Sequence, residues 1–587
     1  MGQVVFSSLN LGTCTRAGGR LATKALLKAI YDGIGRGVTS LFPIVIFKLK
    51  DGISYSPGDP NYDLRLISEK VTAKRMFPNY SNLDAPYNLK YYKEGHPETE
   101  VAYMGCADKD ETVHVSIQGK EDIMTISSFF ERMVIETDAT ITANSCVYVS
   151  TEDKDIRIFD SSVGGLVQCK GVLRNPKTKD WYKIHLSDYK PLLVTGDHPF
   201  PEVNKGRTCT RDLKPGDILR KISGVETVVV KVEKLEDHED FCYDVETYSD
   251  KFDLSGIVSH NCRTRVISNV NGPEIVTDRG NLSFTTLNLP RYAIEAMRKE
   301  PDNQEARIKA FFENLEKYEQ VAAEQLKHRF KIQCNRHVKN FPYVMQQGAY
   351  MGSEYLQPSD KIKKAIENGT LSFGFVGLAE CLRALTGHDQ TEGAEYQELG
   401  LSIIKHIRDY CDKLTEETHL NWSLIATPAE SVAGTLLRKD KKEFGVIEGV
   451  TDRDYYTNSF HVSVFKKVKA SEKIKLEAPY HALTNAGHIT YIEMEGDPSQ
   501  NLDALHALID LMHDKNVGYF SFNAKMDTHT GCGYTGIING DVCPNCGQRE
   551  TETFPIIRPR RVTGYLSYTT RFNDAKAKEA SERVTHV

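Results

Sequence analysis

The 587-residue sequence has little that would tie it to a membrane, to nucleic acid or to the outside of a cell. Its apolar runs fall short of the roughly 20 residues that a bilayer-spanning helix needs. A net charge of −6 leaves no basic surplus for a nucleic-acid surface. The N-terminus lacks the charged and apolar segments of a secretory signal. These absences predict a cytoplasmic protein with no membrane partner and no direct nucleic-acid partner.

The sequence also lacks any adjacent pair of cysteines, and its 13 cysteines are an odd number, unevenly spread. That pattern argues against a secreted disulfide framework and favours metal-binding or catalytic thiols. Three cysteines crowd near the C-terminus, and two others, Cys106 and Cys262, border a stretch of different texture. The length predicts two to four domains.

Most of the chain has the texture of a mixed α/β protein. Residues 1–105 alternate short apolar runs, such as 42–49, with helical stretches and loops rich in proline, glycine and asparagine. Residues 308–330 carry apolar side chains at helical spacing, which predicts a long helix. Residues 461–465 and 488–493 are rich in β-branched and aromatic side chains, which predicts strands.

The stretch from 106 to 261 is different, because it reads as mostly β. It contains one helix candidate, at 125–136, and many short strand candidates separated by turn residues: VHVSI, VYVST, IRIFD, LVQCKGVL, YKIHL, LLVT, ETVVVKVEKL and CYDVETY. An ordinary inserted β domain would account for this texture. The residues at its two ends favour a more specific interpretation.

Nucleophiles stand at both borders of this module. It begins at Cys106 and ends at Asn261, which is followed by Cys262. The first thiol can convert the amide after Gly105 into a thioester, the second can take over the acyl chain, and the asparagine side chain can cyclise on its own carbonyl. This set is what protein splicing requires.

The module resembles an intein of the Hedgehog/intein β-fold. The resemblance rests on CADKDETV at its start, the TxxH sequence from Thr195 to His198, and CYDVETYSDKFDLSGIVSHN at its end. It implies that Cys106 is the first nucleophile and Asn261 the cyclising residue, and that the assisting residues are Thr195, His198, Asp244 and His260. A histidine after a threonine in this motif can protonate the first scissile amide. Asp250 departs from the pattern, because many inteins have histidine there.

The module comprises 156 residues, from Cys106 to Asn261, which suits the splicing fold and leaves no room for a homing endonuclease. Removing it joins YMG to CRTRV and gives the uninterrupted segment TEVAYMGCRTRVISNVNG. Splicing would therefore regenerate a cysteine at the junction, as Cys262.

The flanking sequence resembles the anaerobic, class III ribonucleotide reductases. The resemblance covers 1–105 and 262–587 through FPIVIFKL, DPNYDL, AKRMFPN, MG/CRTRV, RGNLSFTTLNLPR, ATPAES, YTNSFHV, EAPYH, GHITYIE and RRVTGYLS. It implies an α/β fold: part of the ten-stranded α/β barrel of glycyl-radical enzymes, with the all-β intein inserted and a C-terminal zinc knot. The implied domains are 1–105 and 262–525 for the two barrel parts, 106–261 for the intein, and 526–587 for the tail.

The resemblance also implies roles in radical chemistry. Cys262 corresponds to the thiyl radical that abstracts the ribose 3′-hydrogen, Asn281 to an amide that contacts substrate or reductant, and Glu430 to a carboxylate that helps proton movement. The residue types alone leave plainer alternatives open. A cysteine can be a small buried hydrophobe, Asn281 a turn residue after Gly280, and Glu430 a helix-start glutamate.

The C-terminal segment contains two further signatures. RVTGYL resembles the glycyl-radical loop and implies that Gly564 stores the radical, although many relatives have cysteine in place of Thr563. Just before it, two pairs with two-residue gaps can hold one tetrahedral Zn²⁺ ion: His529 with Cys532, and Cys543 with Cys546. The family usually has cysteine at the first position. A zinc ribbon for nucleic acid is the rival interpretation, which the acidic charge balance disfavours.

The family resemblance implies partners that the residues do not reveal. These are a ribonucleoside triphosphate substrate, ATP and deoxyribonucleotide effectors, formate or a thioredoxin-type reductant, a radical-SAM iron–sulfur activating protein, and a second copy in a homodimer. The pattern begins partway into the family sequence, so we expect a separate N-terminal reductase fragment. One alternative stays open, a protein capable only of splicing. A formate-lyase type of enzyme would have adjacent active-site cysteines, which the sequence lacks.

Overall fold

A computed structural model gives the fold of the protein. It describes residues 8–104 except 36 and 42, then 264–266, 268–276, 280–341, 345, 350, 352–429 and 431–586, together with Lys214 and the strand backbones between 113 and 247. Six predicted site residues lie outside these ranges: Cys106, His198, His260, Asn261, Cys262 and Glu430. The helix predicted at 125–136 also lies outside them.

The N-terminal part alternates strands and helices. Its elements are β1 (Ser8–Leu11), α1 (Ala17–Asp32), β2 (Ile44–Leu49), α2 (Tyr62–Arg75), β3 (Asn79–Asn82), α3 (Pro86–Leu89) and β4 (Ala102–Met104). The six residues of β2, IVIFKL, are all buried, as in a strand covered on both faces. The strand predicted within residues 42–49 is confirmed.

The inserted stretch is built of strands that pair antiparallel. They are β5 (Val113–Ile117), β6 (Lys120–Met124), β7 (Thr140–Ile141), β8 (Val147–Ser150), β9 (Ile156–Asp160), β10 (Gly165–Thr178), β11 (Trp181–Leu186), β12 (Tyr189–Thr195), β13 (Pro199–Glu202), β14 (Gly206–Cys209), β15 (Ile218–Arg220), β16 (Glu226–Lys234) and β17 (Asp240–Thr247). They form one sheet of seven strands and one of six. The predicted mostly-β module is confirmed at the level of its strands.

The second host part resumes the α/β alternation. Its elements are β18 (Thr264–Val266), β19 (Asn281–Asn288), α4 (Leu289–Lys299), α5 (Gln304–Cys334), α6 (Lys363–Ile366), β20 (Thr370–Val376), α7 (Leu378–Thr386), α8 (Ala394–Thr418), β21 (Asn421–Ala426), α9 (Ser431–Phe444), α10 (Ala470–Leu483), β22 (Thr490–Glu493), α11 (Leu502–Asp514) and β23 (Tyr519–Asn523). The long helix predicted at 308–330 lies within α5. The strand predicted at 488–493 is β22.

The C-terminal segment contains short strands and one helix: β24 (Asp527–His529), β25 (Tyr534–Gly536), β26 (Ile556–Ile557), β27 (Pro559–Arg561), β28 (Leu566–Tyr568) and α12 (Asp574–Glu582). Single 3₁₀ turns occur at Pro97–Thr99, Val338–Asn340, Ser353–Tyr355, Pro498–Gln500 and Thr569–Arg571. None of the helices in the described part of the chain is long and apolar enough to cross a bilayer.

The strand predicted at 461–465 is wrong. These residues form buried coil and turn, and the Val462 N–H donates to the Glu477 carboxylate at 3.0 Å. A buried side chain therefore takes the place of the neighbouring strand that the sequence pattern anticipated. Local composition could not distinguish a strand from this coil, because both arrangements give the buried backbone groups hydrogen-bond partners.

One mixed sheet and one parallel sheet make up the host core. One has the order β1-β2-β3-β23-β22, in which β3 and β23 are antiparallel and the other neighbours parallel. The other is the parallel sheet β19-β20-β21. An isolated parallel bridge between Ile425 and Gly487 links the two sheets ahead of β22. A mixed α/β fold is confirmed, whereas the closed ten-stranded barrel stays a prediction.

The five-stranded sheet separates two different cores. Along β2, Val45 and Phe47 pack in a cluster with residues of helices α1, α2, α10 and α11, while Ile44 and Ile46 face the opposite side. This alternation follows from the two-residue period of a strand. The second face packs against Val562, Tyr565 and Leu566 from the C-terminal hairpin. Helices therefore pack on one face of the sheet, and the C-terminal hairpin packs on the other.

Glu380, in the first turn of α7, is a buried carboxylate that forms no ion pair with any residue that the structure describes. It accepts hydrogen bonds from the Thr457 N–H at 3.0 Å and the Thr457 hydroxyl at 2.6 Å. Burial raises its pKa to about 7 in spite of those bonds. Because the folded pKa exceeds the ordinary value of 4.5, the group's contribution to stability is full below pH 4.5. That contribution is lost as the pH rises through 7.

We expect Glu380→Gln to be more stable than the parent at pH 8 by about 2 kcal/mol, since the amide accepts the same bonds without a charge. The gain should shrink below about pH 5. Denaturant unfolding at both pH values measures it. Glu392→Gln is the matched control, and its change in unfolding free energy at pH 8 should have the opposite sign. Lys466 and Arg383 lower the pKa of Glu392 to about 2, although burial opposes the shift. Equal destabilisation of Glu380→Gln at both pH values would contradict the expectation.

Candidate functional site

The last hairpin of the chain carries its tip into the interior. Strands β27 and β28 pair antiparallel, with Arg561 opposite Leu566. The Val562 N–H donates to the Tyr565 carbonyl at 3.0 Å and closes the turn, and residues 562–565 are all buried. Turns usually lie at the surface, because buried irregular backbone needs partners for its polar groups. This turn contains Gly564, and its burial requires specific anchors.

The first anchor is Arg561, a fully buried arginine at the start of the turn. Its guanidinium donates to the carbonyls of Met76 at 2.6 Å and Phe522 at 3.2 Å. Its backbone N–H donates to the Asn523 side chain at 3.1 Å. Burial lowers the pKa of Arg561 to about 10, so the side chain stays charged at neutral pH. The charge is solvated by backbone carbonyls of β23 and of the residue after α2.

The second anchor is the C-terminal helix α12. Lys576 donates to the Val562 carbonyl at 3.1 Å, and Arg583, just after the helix, donates to the Arg561 carbonyl at 2.7 Å. Glu579 lies between the two cations, 2.8 Å from Arg583. Although burial opposes it, Lys576 and Arg583 hold the pKa of Glu579 below its usual value. This buried cluster of three charges ties the hairpin to the chain end.

A third contact reaches Gly564 itself. The Asn79 amide, on β3, donates to the Gly564 carbonyl at 2.9 Å and to the Tyr519 hydroxyl at 2.7 Å. Tyr519, on β23, stacks on Tyr103 of β4 with ring centroids 4.0 Å apart. Strand β4 precedes residue 106, so one chain of contacts links Gly564 to the strand that leads to Cys106.

Tyr103 is fixed at its other end by a buried histidine. The Tyr103 hydroxyl lies 3.2 Å from His488 Nε2, and His488 Nδ1 lies 2.8 Å from the Thr484 carbonyl. A carbonyl can only accept, so Nδ1 carries the proton and Nε2 accepts from the tyrosine. Both side chains are almost fully buried. Gly518 is required beside them, because a Cβ there would stand 2.8 Å from His488 Nε2.

Asn281 is the first residue of β19, in the three-stranded sheet. Its side-chain oxygen accepts from the Thr370 hydroxyl. Its amide nitrogen is buried and has no partner within the described residues. A buried amide without a partner costs free energy unless a ligand or water satisfies it. The geometry is therefore compatible with a residue that donates to a bound molecule.

Two predicted intein residues lie on described strand backbones. Thr195 is the last residue of β12, opposite Trp181. Asp244 lies in β17, opposite Leu173 of β10.

The predicted metal ligands come together in the fold. The ligand atoms of His529, Cys532, Cys543 and Cys546 all lie within 4.8 Å of one another. His529 ends β24, and the hydrogen bond from the Gly533 N–H to its carbonyl brings Cys532 back beside it. Gly547, with a φ of 72°, closes the second turn by donating to the Cys543 carbonyl at 2.9 Å.

The spacing of these atoms fits a tetrahedral Zn²⁺ ion. Two sulfurs bound at ~2.3 Å in a tetrahedron lie about 3.8 Å apart, and a sulfur and a nitrogen about 3.5 Å apart. Sγ of Cys532 is 3.7 Å from Sγ of Cys543, and His529 Nδ1 is 3.3 Å from Cys532 and 3.4 Å from Cys546. Nδ1, rather than Nε2, is therefore the nitrogen that would bind the ion. A hydrogen bond from His529 lowers the pKa of the Cys532 thiol to about 6.

If the cluster binds zinc, we expect Cys543→Ser to lose it, because Cys543 is the fully buried cysteine of the cluster and hydroxyl is a poor replacement for thiolate. A structural zinc site contributes folding free energy, so thermal unfolding should shift down by several degrees. Metal analysis and a melting curve measure both effects. Cys14→Ser, at an exposed cysteine outside the cluster, is the matched control. One equivalent of zinc retained by Cys543→Ser would refute the ligand set.

The sequence pattern predicts no role for Asn79, Tyr103, Tyr519 or His488. The first three offer polar atoms on buried strands, as in NYSN of β3, where every residue is buried, and His488 lies in buried coil just before β22. Such residues need a partner, but the sequence does not say which one. The partners of Asn79 come from β23 and the C-terminal hairpin, more than 400 residues away along the chain.

Comparison with known proteins identifies the family. A family model for the anaerobic ribonucleoside-triphosphate reductases matches residues 1–135 and 223–586, more than four fifths of the chain. The chain therefore belongs to this family. The unmatched residues, 136–222, lie inside the all-β module.

Curated relatives agree with this assignment. The anaerobic ribonucleoside-triphosphate reductase of Salmonella typhimurium is 34% identical over 331 residues, which are 55% of this chain and 44% of the relative. That of Enterobacteria phage T4 is 33% identical over 323 residues, 54% of this chain and 50% of the relative. The chain spans about half the length of the curated relatives it matches.

The similar solved structures include an anaerobic ribonucleotide reductase and an intein. The anaerobic ribonucleotide reductase from Thermotoga maritima with glycerol in the active site is 20% identical, with a TM-score of 0.36, over 53% of this chain and 45% of that one. An intein from a hyperthermophile is 20% identical, with a TM-score of 0.21, over 27% of this chain and 99% of the intein.

Proposed function

We propose that this chain is the precursor of an anaerobic ribonucleoside-triphosphate reductase, from which residues 106–261 are removed by protein splicing. The observation that carries the reductase part is the buried turn around Gly564. Asn79, Lys576 and Arg583 hold the hairpin tip that contains this glycine inside the core. In a member of this family, such burial suits a residue that must be shielded from solvent and oxygen. The family match over most of the chain supports the same proposal.

In the proposed reaction, Gly564 stores the radical on its α-carbon, where the two flanking amides delocalise it and no Cβ opposes a planar geometry. The sulfhydryl hydrogen of Cys262 moves to this carbon, which restores glycine and leaves a thiyl radical. The thiyl takes the 3′-hydrogen of a ribonucleoside triphosphate, and the 2′-hydroxyl leaves as water with help from Glu430. Asn281 donates its unpartnered amide to substrate or reductant. Formate, or a dithiol of the thioredoxin type, supplies the two electrons.

The proposed metal site is structural. Zinc bound by His529, Cys532, Cys543 and Cys546 would stabilise the segment that leads into β27. The Arg560 ion pair with Asp527 connects β27 to β24, the strand that ends at His529. A radical-SAM activating protein would generate the radical, and a second copy of the chain would complete a homodimer.

The splicing part is supported by the pairing of the two host strands that flank the module. Met104 of β4 stands opposite Thr264 of β18. Once residues 106–261 are removed and Gly105 is joined to Cys262, three residues connect this pair. That length is typical of a β-hairpin loop. Cys262 would then lie in the middle of a tight turn, reached from both sides by strands that already pair.

In the proposed splicing reaction, Cys106 attacks the Gly105 carbonyl and replaces the amide by a thioester, with Thr195 and His198 assisting departure of the amine. Cys262 takes over the acyl group. Asn261 then cyclises to a succinimide, which breaks its peptide bond to Cys262, with His260 and Asp244 assisting. The thioester rearranges to an amide between Gly105 and Cys262, and the free thiol of Cys262 becomes available for radical chemistry.

One experiment tests both parts in sequence. The full chain is expressed and its products weighed, and we expect the excised 156-residue module together with 1–105 joined to 262–587. The ligated product is then combined without oxygen with the activating protein, with ribonucleoside triphosphate and formate, and with a chain carrying the part of the relatives that this one does not match. A deoxyribonucleotide product supports the reductase. Persistence of full-length chain under reducing conditions refutes splicing.

A further inference from the structure

The host strands β4 and β18 pair with each other although the whole inserted module separates them in sequence. Three residue pairs are in antiparallel register: Met104 with Thr264, Tyr103 with Arg265, and Ala102 with Val266. Paired strands hold opposite Cα atoms about 4.5–5.5 Å apart. Each strand is only three residues long, so a two-stranded ribbon of this size is not stable by itself. Other parts of the host must hold it together.

The centre of the ribbon is fixed on one side by Tyr103. Its ring stacks on Tyr519, and its hydroxyl bonds to His488. Tyr103 is 1% exposed, and stacked aromatic pairs add stability beyond that of their buried area.

The other strand of the ribbon, β18, is fixed by Arg265, which is 2% exposed and stands directly opposite Tyr103. Its guanidinium donates to the Asn485 carbonyl at 2.9 Å and to the Asn88 side chain at 2.6 Å, and its backbone N–H donates to the Ala486 carbonyl at 2.8 Å. A buried arginine that bonds to two separate segments fixes position strongly, because removing it leaves those acceptors unpaired. Both strands that flank the module are thus anchored to the host core.

We propose that the folded host acts as the clamp for splicing, with Tyr103 and Arg265 as positioning residues that hold the two splice junctions together. This inference rests on the proposed splicing of residues 106–261. Only Gly105 separates Met104 from the first junction, and only Cys262 and Arg263 separate Thr264 from the second. The pairing of Met104 with Thr264 therefore keeps the Cys262 thiol close to the Gly105 acyl group for as long as the host stays folded.

The step that benefits is the transfer between the two thiols. The Cys262 thiolate attacks the Gly105 carbonyl carbon, the bond from that carbon to Cys106 Sγ breaks, and Cys106 leaves as a thiolate that takes up the proton lost by Cys262. Holding reactants together replaces a rare encounter by a local one and raises the rate by orders of magnitude. When the junctions separate, water takes the thioester instead. The product is then a free 1–105 fragment rather than a ligated chain.

The test compares the ratio of ligated product to free 1–105 fragment in variants of the full chain. We expect this ratio to fall at least about tenfold in Arg265→Gln and in Tyr103→Leu, because both lose the anchor and keep every splicing residue. Arg65→Gln is the matched control, since Arg65 is also buried, at 1% exposure, but binds Glu69 in α2. Its ratio should stay within about twofold of the parent's. An unchanged ratio in Arg265→Gln overturns the proposal.

A second measurement does not depend on splicing. A blocked precursor carrying Cys106→Ala, Asn261→Ala and Cys262→Ser is given Met104→Cys and Thr264→Cys, whose Cα spacing permits a disulfide. Mild oxidation should link these two positions, and adding Arg265→Gln should slow the link several-fold. Failure of the link in the blocked parent overturns the clamp. A parent chain that never forms ligated product or 1–105 fragment, yet forms this link, refutes the proposed splicing alone.

Discussion

No ligated product is expected from a chain carrying Cys106→Ala, and none from one carrying Asn261→Ala. The two variants should fail in different ways. Without Cys106 no thioester forms, so the full-length chain should persist, apart from slow cleavage after Asn261. Without Asn261 the first two steps proceed and stop, so a branched species should accumulate in which residues 1–105 are attached to Cys262. Intact mass and thiol-induced release of the 1–105 fragment distinguish the two species.

Matched substitutions separate this chemistry from general damage. Cys14→Ala removes an exposed thiol, and Asn335→Ala removes an exposed asparagine at the end of α5. Both should splice like the parent. A ligated product from Asn261→Ala at parental yield would refute excision by asparagine cyclisation. A ligated product from Cys106→Ala would refute the first nucleophile.

Gly564→Ala is expected to abolish the radical signal and turnover together. A glycyl radical retains one α-hydrogen, whose coupling gives a doublet in electron paramagnetic resonance. In alanine a methyl group replaces that hydrogen. The methyl group must also fit a turn that is buried at every residue from 562 to 565. Overpacking ordinarily costs about 1–3 kcal/mol. Relief of that strain would move the turn away from the Asn79 amide. Exposure of the activated parent to oxygen should cut the chain at Gly564, and the variant should stay intact.

Gly18→Ala is the matched control for Gly564→Ala. Gly18 lies in α1, and a Cβ there would have no neighbour within 4 Å. Alanine favours a helix more than glycine does, so this variant should fold, splice and acquire the radical like the parent. A doublet that survives in Gly564→Ala would assign the radical to another residue.

Much of the architecture could be predicted from local pattern. The all-apolar run of β2, the helical periodicity of α5 and the short strands between 113 and 247 follow from residue type and spacing alone. The strand predicted at 461–465 failed because a buried carboxylate, Glu477, takes the backbone hydrogen bond that a neighbouring strand would make. Composition records burial, but it does not record which group supplies the partner.

The candidate site divides in the same way. The spacing of His529, Cys532, Cys543 and Cys546 predicted a metal cluster, because each pair is local and two-residue gaps bring both side chains to one ion. The contacts of Gly564 could not be predicted. Gly564 itself contacts Asn79, and its neighbours in the turn contact Lys576 and Arg583. No local sequence pattern encodes contacts between residues separated in this way along the chain.

The sequence by itself determined the metal-binding spacing, and it predicted the module borders, the nucleophiles at them and the glycine near the C-terminus, because each of these is a matter of residue identity over a few positions. Only the tertiary structure decided that the RVTGYL turn is buried and that β4 pairs with β18. It also supplied the anchors, Tyr103 and Arg265, that hold this pair. The physical reason is that a buried polar group must find a partner, and in this chain that partner comes from segments far away in sequence.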